Sequence, residues 1–258
     1  VSGLGGFRLL LGKEVREQLR TLRLVVVVAV LAMFGAMSPL LAKLLPDIIK
    51  MAGTQAAGLT ITMPPPTTAD AVAQLVKNLG QFGALIAILV SMGAVANEKE
   101  RGTAGFVLTK PVGRGAFIMA KAVAIALLLG AGIAAGYALA WLYTALLFEA
   151  LPLPGFVASG VVLWLSLLVI GGVTFLFSVL ARSSLVAGGA GFVALIVAGI
   201  VAAIPGIGAY APTGLSTPAV ALALGLPGGD LGGPILVNLA LVCLALGAAG
   251  IAFRRQEI

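Results

Sequence analysis

The sequence predicts an all-α integral membrane domain of six transmembrane helices, and three observations carry that expectation. Of 258 residues, 60% are hydrophobic and only 10% are charged, whereas soluble domains run near 45–50% apolar and about 25% charged. Six apolar stretches are long enough, at about 20 residues each, to cross a hydrocarbon core of ~30 Å. Finally, the basic residues fall at the ends of those stretches and almost all on one side of the membrane, which is the pattern that sets orientation.

The elements follow in chain order. Residues 7–23 are amphipathic: Phe7, Leu10, Leu11, Val15, Leu19 and Leu22 recur at spacings of three and four, while Arg8, Lys13, Arg16, Glu17, Arg20 and Arg23 take the other positions. That pattern predicts a helix lying in the membrane interface with its basic face toward headgroups. It does not read as a signal peptide, because the apolar run behind it is too long for an h-region. The first span is expected over 24–45, with Pro39 in its outer half and Lys43 near its outer end. Met63-Pro64-Pro65-Pro66 in the outer segment predicts an extended chain. Thr68 then reads as an N-cap with Asp70 in the first helical turn, leading into a second span over 79–96. The third span, 122–147, contains Gly132-x-x-x-Gly136, which permits close helix packing, and carries Tyr137, Trp141 and Tyr143 as anchors toward its outer end. A fourth span over 156–180 is followed by the tight turn Arg182-Ser183-Ser184. The fifth, 185–204, has Gly188, Gly189 and Gly191 thinning one face. Between it and the last span lies a segment with Thr217-Pro218 as a helix start and an apolar stretch over 219–226. At about 13 Å that helix is too short to cross, so it is expected to be interfacial or re-entrant. The sixth span is 234–253.

Counting charge with the N-terminus inside places 13 Lys and Arg on cytoplasmic segments against Lys43, Lys50 and Lys77 outside. Both termini are therefore expected in the cytoplasm. The formal charge of +7 reads as a topology determinant facing anionic lipid rather than as a nucleic-acid surface. With no histidine and a single cysteine, Cys243, the chain offers no Cys/His metal site, no His base and no intrachain disulfide. No Asp, Glu, Lys or Arg falls near the middle of a span, which argues against coupling to an ion gradient. The mid-span polar groups Ser91, Thr144, Ser166, Thr174, Ser178 and Asn238 are expected to bond to their own or neighbouring helices. Gln81 and Asn78 lie near the outer end of span two, where a central cavity is a possible neighbour. The sequence contains no Walker motif and no hydrolase signature, so the chain reads as a non-enzyme whose energy comes from another chain.

The most informative stretch separates spans two and three. Residues 97–121 read NEKERGTAGFVLTKPVGRGAFIMAK, with five basic residues and two acids. Thr103 is a plausible N-cap for a short apolar helix through Phe106, Val107 and Leu108, and Pro111 would stop it. Glu98, Glu100 and Arg101 suit charge-assisted bonds to a soluble surface, and Gly102 suits a tight turn into the helix.

The order Glu98-x-Glu100-Arg101-Gly102-Thr103, then Leu108-x-x-Pro111-x-x-Arg114, then Lys121, resembles the cytoplasmic loop of ABC-2 type permeases, the membrane subunits of ATP-binding-cassette transporters. The resemblance implies a single six-helix domain over 1–258 with an interfacial elbow helix before span one, a coupling helix between spans two and three, and short outer helices between spans five and six. It further implies an interface with a cytoplasmic ATPase subunit through Glu98, Glu100, Arg101, Gly102, Thr103, Phe106, Pro111 and Arg114. ATP and Mg would bind that partner, leaving this chain without a cofactor of its own. A second permease copy or a paralogue would complete the membrane unit. The expected function is permease subunit of an exporter in the plasma (inner) membrane, surrounded by lipid, handling a small or hydrophobic substrate. A self-contained channel and a non-transporting scaffold on the same fold are the alternatives.

Overall fold

The computed structural model describes residues 3–53, 64–102 and 113–256. Nine α-helices are present among these: α1 (Gly3–Arg20), α2 (Arg23–Gly53), α3 (Thr68–Met92), α4 (Ala96–Glu100), α5 (Arg114–Leu147), α6 (Leu153–Leu180), α7 (Ser184–Ala202), α8 (Ser216–Ala223) and α9 (Gly232–Arg255). No strand occurs among the described residues. Six helical stretches are long and apolar enough to cross a membrane: α2, α3 with α4, α5, α6, α7 and α9. The chain is thus a multi-pass, all-helical membrane protein. Cytoplasmic and outer sides are assigned below; here the end that gathers α4 and the polar starts of α5 and α7 is the charged end, and the opposite one is the far end.

Several helices differ in extent from the apolar windows, because a window marks what hydrocarbon can cover while the helix continues into polar surroundings. Thus α2 runs through Pro46 to Gly53, with both Pro39 and Pro46 inside it. Helix α1 stops at Arg20, short of the expected 23. Leu22 there adopts a left-handed conformation with φ 57°, and that reversal separates α1 from α2. The N-cap of α3 is Thr67, not Thr68. Its side chain accepts from Asp70 N while Asp70 Oδ2 accepts from Thr67 N at 2.8 Å. This reciprocal pairing needs an acid three residues after the cap, a spacing that Thr67 has and Thr68 lacks. Helix α8 likewise begins at Ser216, because a 3-10 turn over Pro212–Leu215 runs straight into it and carries Thr217 and Pro218 inside the first turn.

At the centre stand α5 and α6, whose buried faces hold Leu128, Leu129, Leu167 and Phe175. The Gly132-x-x-x-Gly136 motif meets α2. A Cβ on Gly35 would come within 2.1 Å of the Gly136 carbonyl oxygen, and one on Gly136 within 2.8 Å of the Leu31 carbonyl oxygen. The two backbones are in direct contact, and only glycine allows it. On α7 the glycines instead make room for side chains, with Gly191 facing Thr174 and Gly188 facing Met92, whereas Gly189 meets nothing within 4 Å. Outward of these, α7 and α9 keep most of their apolar surface uncovered.

Between α7 and α9 the chain turns back into the bundle. Ser166 Oγ donates to the Pro212 carbonyl at 2.7 Å, Thr213 Oγ1 to the Ala198 carbonyl at 3.0 Å, and Asn238 Nδ2 to the Tyr210 carbonyl at 3.1 Å. Ser166 and Ala198 each lie fourteen residues from the charged end of their helices, Leu180 and Ser184, or about 21 Å along the axis. The Pro212–Thr213 turn is therefore held against α6 and α7 about that far from the charged end. The segment thus re-enters the helix bundle. The side chains expected to bond within the membrane supply the donors that its irregular backbone needs.

Candidate functional site

At the charged end, α3 stops at Met92 and a turn over Gly93–Val95 leads into the five-residue α4. An isolated helix of one turn has no cooperative stability of its own, so its neighbours must hold it. Ser178 Oγ, from the end of α6, accepts hydrogen bonds from both Val95 N and Ala96 N at 3.0 Å. A buried hydroxyl from another helix thus does the work of an N-cap. Gly93 allows the turn, since a Cβ there would meet the Asn97 side chain at 2.3 Å.

The charges of α4 point back into the protein. Glu98 Oε1 lies 2.8 Å from Lys121 Nζ, and Glu14 of α1 lies 3.1 Å from the same ammonium. The Lys121 side chain is only 7% exposed, with Glu14 at 13% and Glu98 at 19%. One lysine of α5 therefore joins α1, α4 and α5 at a largely desolvated point, with the ring of Phe117 5.1 Å from its nitrogen. Gln18 of α1 adds a bond from Nε2 to the Ala124 carbonyl at 3.0 Å. Lys99 Nζ donates to the Val179 carbonyl, which also accepts from Gln256 Nε2. This places a cation on the carbonyl end of α6, where the helix dipole favours it. The Glu100 carboxylate accepts from Ser184 N at 2.9 Å and Ser184 Oγ at 3.4 Å, an acid at the amino end of α7. Arg114 Nη1 donates to the Arg254 and Gln256 carbonyls at 3.0 and 3.2 Å, closing the end of α9.

Of the eight residues expected to form a partner interface, Glu98, Glu100 and Arg114 thus bond to neighbouring helices, Glu100 while remaining exposed. Arg101 is exposed and borders a polar hollow of about 260 Å³ between α1 and the start of α5. Gly102 has φ +65°, a left-handed turn that suits glycine. Thr103, Phe106 and Pro111 lie outside the described residues, as does the expected helix between them. The sequence alone did not identify Ser178, Lys121 and Glu14 as members of this assembly. Ser178 was legible as one of the mid-span polar groups expected to bond to a helix, and Lys121 as a basic residue at a span boundary, but neither signal named a partner.

A second candidate lies at the far end. A cleft of about 700 Å³ opens between α3, the middle of α6, α7 and the re-entrant segment. Lys77 and Gln81 of α3, Ser166 of α6, and Thr213, Ser216 and Thr217 of the re-entrant segment supply its polar groups. Leu85, Ile170, Leu195 and Val220 line it with hydrocarbon. Gln81 borders this cleft. Asn78 does not face it: its side chain is buried, donating to Ser38 Oγ at 3.0 Å and accepting from Gln74 at 3.2 Å. Lys43, at the same end, donates to the Leu147 carbonyl at 2.8 Å and so closes α5.

Comparison with known proteins gives a concordant picture. Residues 8–220 match the family described as ABC-2 family transporter protein. An uncharacterized transmembrane protein of Bacillus subtilis (strain 168), YxlG, is 29% identical over 150 residues, 58% of this chain and 58% of that protein. The aligned part thus spans little more than half the length of that curated relative. The family match covers most of the chain, including α4 and the ion-paired helix ends, and the chain belongs to the ABC-2 transporter family.

Proposed function

We propose that this member of the ABC-2 family is the permease subunit of an ATP-driven exporter, with its charged end, and both termini, in the cytoplasm of the cell that carries it in its plasma membrane. Cytoplasmic ATPase subunits would dock on the segment spanning residues 98–114, and a second copy or a paralogue would face the uncovered sides of α3 and α7. The observation that carries the reading is the set of bonds around α4. A five-residue helix adjoining the proposed docking segment is tied to the ends of α6, α7 and α5 through Ser178, Glu100 and Glu98. Any displacement of it must move those ends or break those bonds. Movement of α7 against α3 and α6 would widen or narrow the far-end cleft, which those helices line, and so the cleft serves as the substrate path.

The test is reconstitution of the chain with its co-purified ATPase in proteoliposomes. ATP-dependent flux is expected, and Glu100→Lys is expected to lower the flux per ATP hydrolysed by about tenfold, a loss of the size that coupling free energies usually represent. ATP-independent unitary currents from the chain alone would replace this reading with a channel. Association with the ATPase but no flux of any substrate would leave a scaffold.

A further inference from the structure

We propose that the far-end cleft takes an amphiphile with one anionic head group on a single apolar tail, the head held at Lys77 and Gln81. The observation is a stripe on α3. Ala73, Lys77, Gln81 and Leu85 recur at every fourth position, border the cleft and are all exposed, while the residues behind them, Val72, Val76, Leu79 and Ala84, are buried. One face of a membrane helix therefore carries an ammonium and an amide at its far end and hydrocarbon below. Such groups on a membrane helix ordinarily face protein or a wet cavity rather than lipid tails. Here they face the cleft.

Among the described residues, neither Lys77 nor Gln81 has a hydrogen-bond or ion-pair partner. Three of the four hydroxyl donors around them are already used: Ser166 bonds Pro212, Thr213 bonds Ala198 and Ser216 bonds the Thr213 carbonyl, which leaves that of Thr217. Lys77 is the one charged residue that lines the cleft among the described residues, and no carboxylate accompanies it. The site thus offers a cation, an amide and the Thr217 hydroxyl to a ligand, and among its described lining residues no carboxylate that would neutralise a cationic head. Below them Leu85, Ile170, Leu195 and Val220 accept a tail. From Lys77 to Leu85 is eight residues, about 12 Å of rise, and the volume falls within the ~300–1,000 Å³ of small-ligand clefts.

A second groove serves as the contrast. Between α5 and α6 an opening of about 800 Å³ is lined by Ala134, Trp141, Gly160 and Trp164. Both indole N–H groups there are taken, Trp141 by the Leu151 carbonyl and Trp164 by the Ala126 carbonyl. That groove has no charge among its lining residues and no means of choosing between head groups.

The inference rests on the cleft being the substrate path, and its test separates the two. The full chain in lipid nanodiscs is irradiated with a diazirine-bearing fatty acid or with an alkyltrimethylammonium of the same tail, and adducts are mapped by mass spectrometry. The fatty acid is expected to label Leu85, Ile170 and Leu195 in preference to the cation. Lys77→Gln should cut that labelling about fivefold, the size of one partly exposed ion pair. Lys77→Arg should keep it, and Lys77→Glu should reverse the preference. Equal labelling by both probes, labelling unaffected by Lys77→Glu, or adducts confined to the Trp141 groove would each overturn the inference. Charge-selective labelling without ATP-driven flux would instead leave the inference standing and remove the transport reading. ATP-driven flux without charge selectivity would do the reverse.

Discussion

The charged end and the far-end cleft use polar residues in opposite ways. At the charged end, Glu14, Glu98, Lys99, Glu100, Arg114 and Lys121 each have a partner within the chain. At the far-end cleft, Lys77 and Gln81 have none among the described residues. Charges at the first end act as staples between helix termini, satisfying backbone groups that a helix leaves open. The polar groups of Lys77 and Gln81 stay open, as the proposed head-group site requires. A charge in an apparently exposed loop can thus be bonded to a neighbouring helix. The parts that transmit a displacement must be bound to what they move, whereas the parts that recognise a ligand must be left open.

The sharpest way to break this comparison is at Lys121. Replacing it by methionine removes the cation that joins Glu14 to Glu98, while Lys13 stays 3.6 Å from Glu14. Removal of one partner from such an assembly costs several kcal/mol, because the remaining charge stays buried. A loss of about 3 kcal/mol is expected, read from denaturant titration in mild detergent with the fluorescence of Trp141 and Trp164. Neutralising all three, as Lys121→Met with Glu14→Gln and Glu98→Gln, is expected to recover most of it. A single mutant as stable as the parent would mean that this point is wet and the staple weak.

Next in size is Ser178→Ala. Its hydroxyl is the acceptor for two backbone N–H groups, those of Val95 and Ala96, and both residues are buried. Leaving them without a partner is expected to cost about 1–3 kcal/mol. The loss should be local, so amide exchange over Val95–Glu100 should speed up while α5 and α6 stay protected. Uniform loss of protection would show that α4 is no separable unit. Smaller again is Glu100→Gln, which weakens an exposed carboxylate at the amino end of α7. About 0.5 kcal/mol is expected, falling further in high salt. The contrast between that small stability effect and the larger loss of coupling proposed for Glu100→Lys separates a residue that transmits motion from one that only holds the fold.

How much of this could be read from the chain follows from the range of the interactions. The six spans were legible because a membrane imposes one length and one polarity on every crossing. The re-entrant segment was legible as a helix too short to cross, but its depth depended on Ser166 and Asn238, whose partners lie 46 and 28 residues away. Gly132 and Gly136 announced a close approach without naming Gly35, because any of the many glycines could have faced them. Thr68 stood beside the true cap, and only the three-residue spacing to Asp70 distinguishes the two. The charged loop was the hardest case. Glu98 and Arg114 carry the composition of an exposed surface, and nothing local in sequence indicates that Lys121 and the end of α9 close over them. Sequence periodicity reports which residues share a face; it does not report which distant helix end lacks a partner.

The last test concerns the open end and has the smallest expected effect on stability. Lys77→Leu with Gln81→Leu removes two polar groups that bond nothing among the described residues, so no internal partner is left unsatisfied. Changes at such sites usually fall within about ±0.5 kcal/mol, and added apolar surface on a membrane helix can even favour the folded state in detergent. The double mutant is therefore expected to unfold at the same denaturant concentration as the parent while losing the head-group preference of the cleft. A destabilisation above about 1 kcal/mol would place these side chains with Lys121 and Ser178, as staples. Retained stability with lost selectivity is the outcome that a site kept open for a ligand requires, since groups spent on holding the fold together are not free to discriminate among the molecules that enter it.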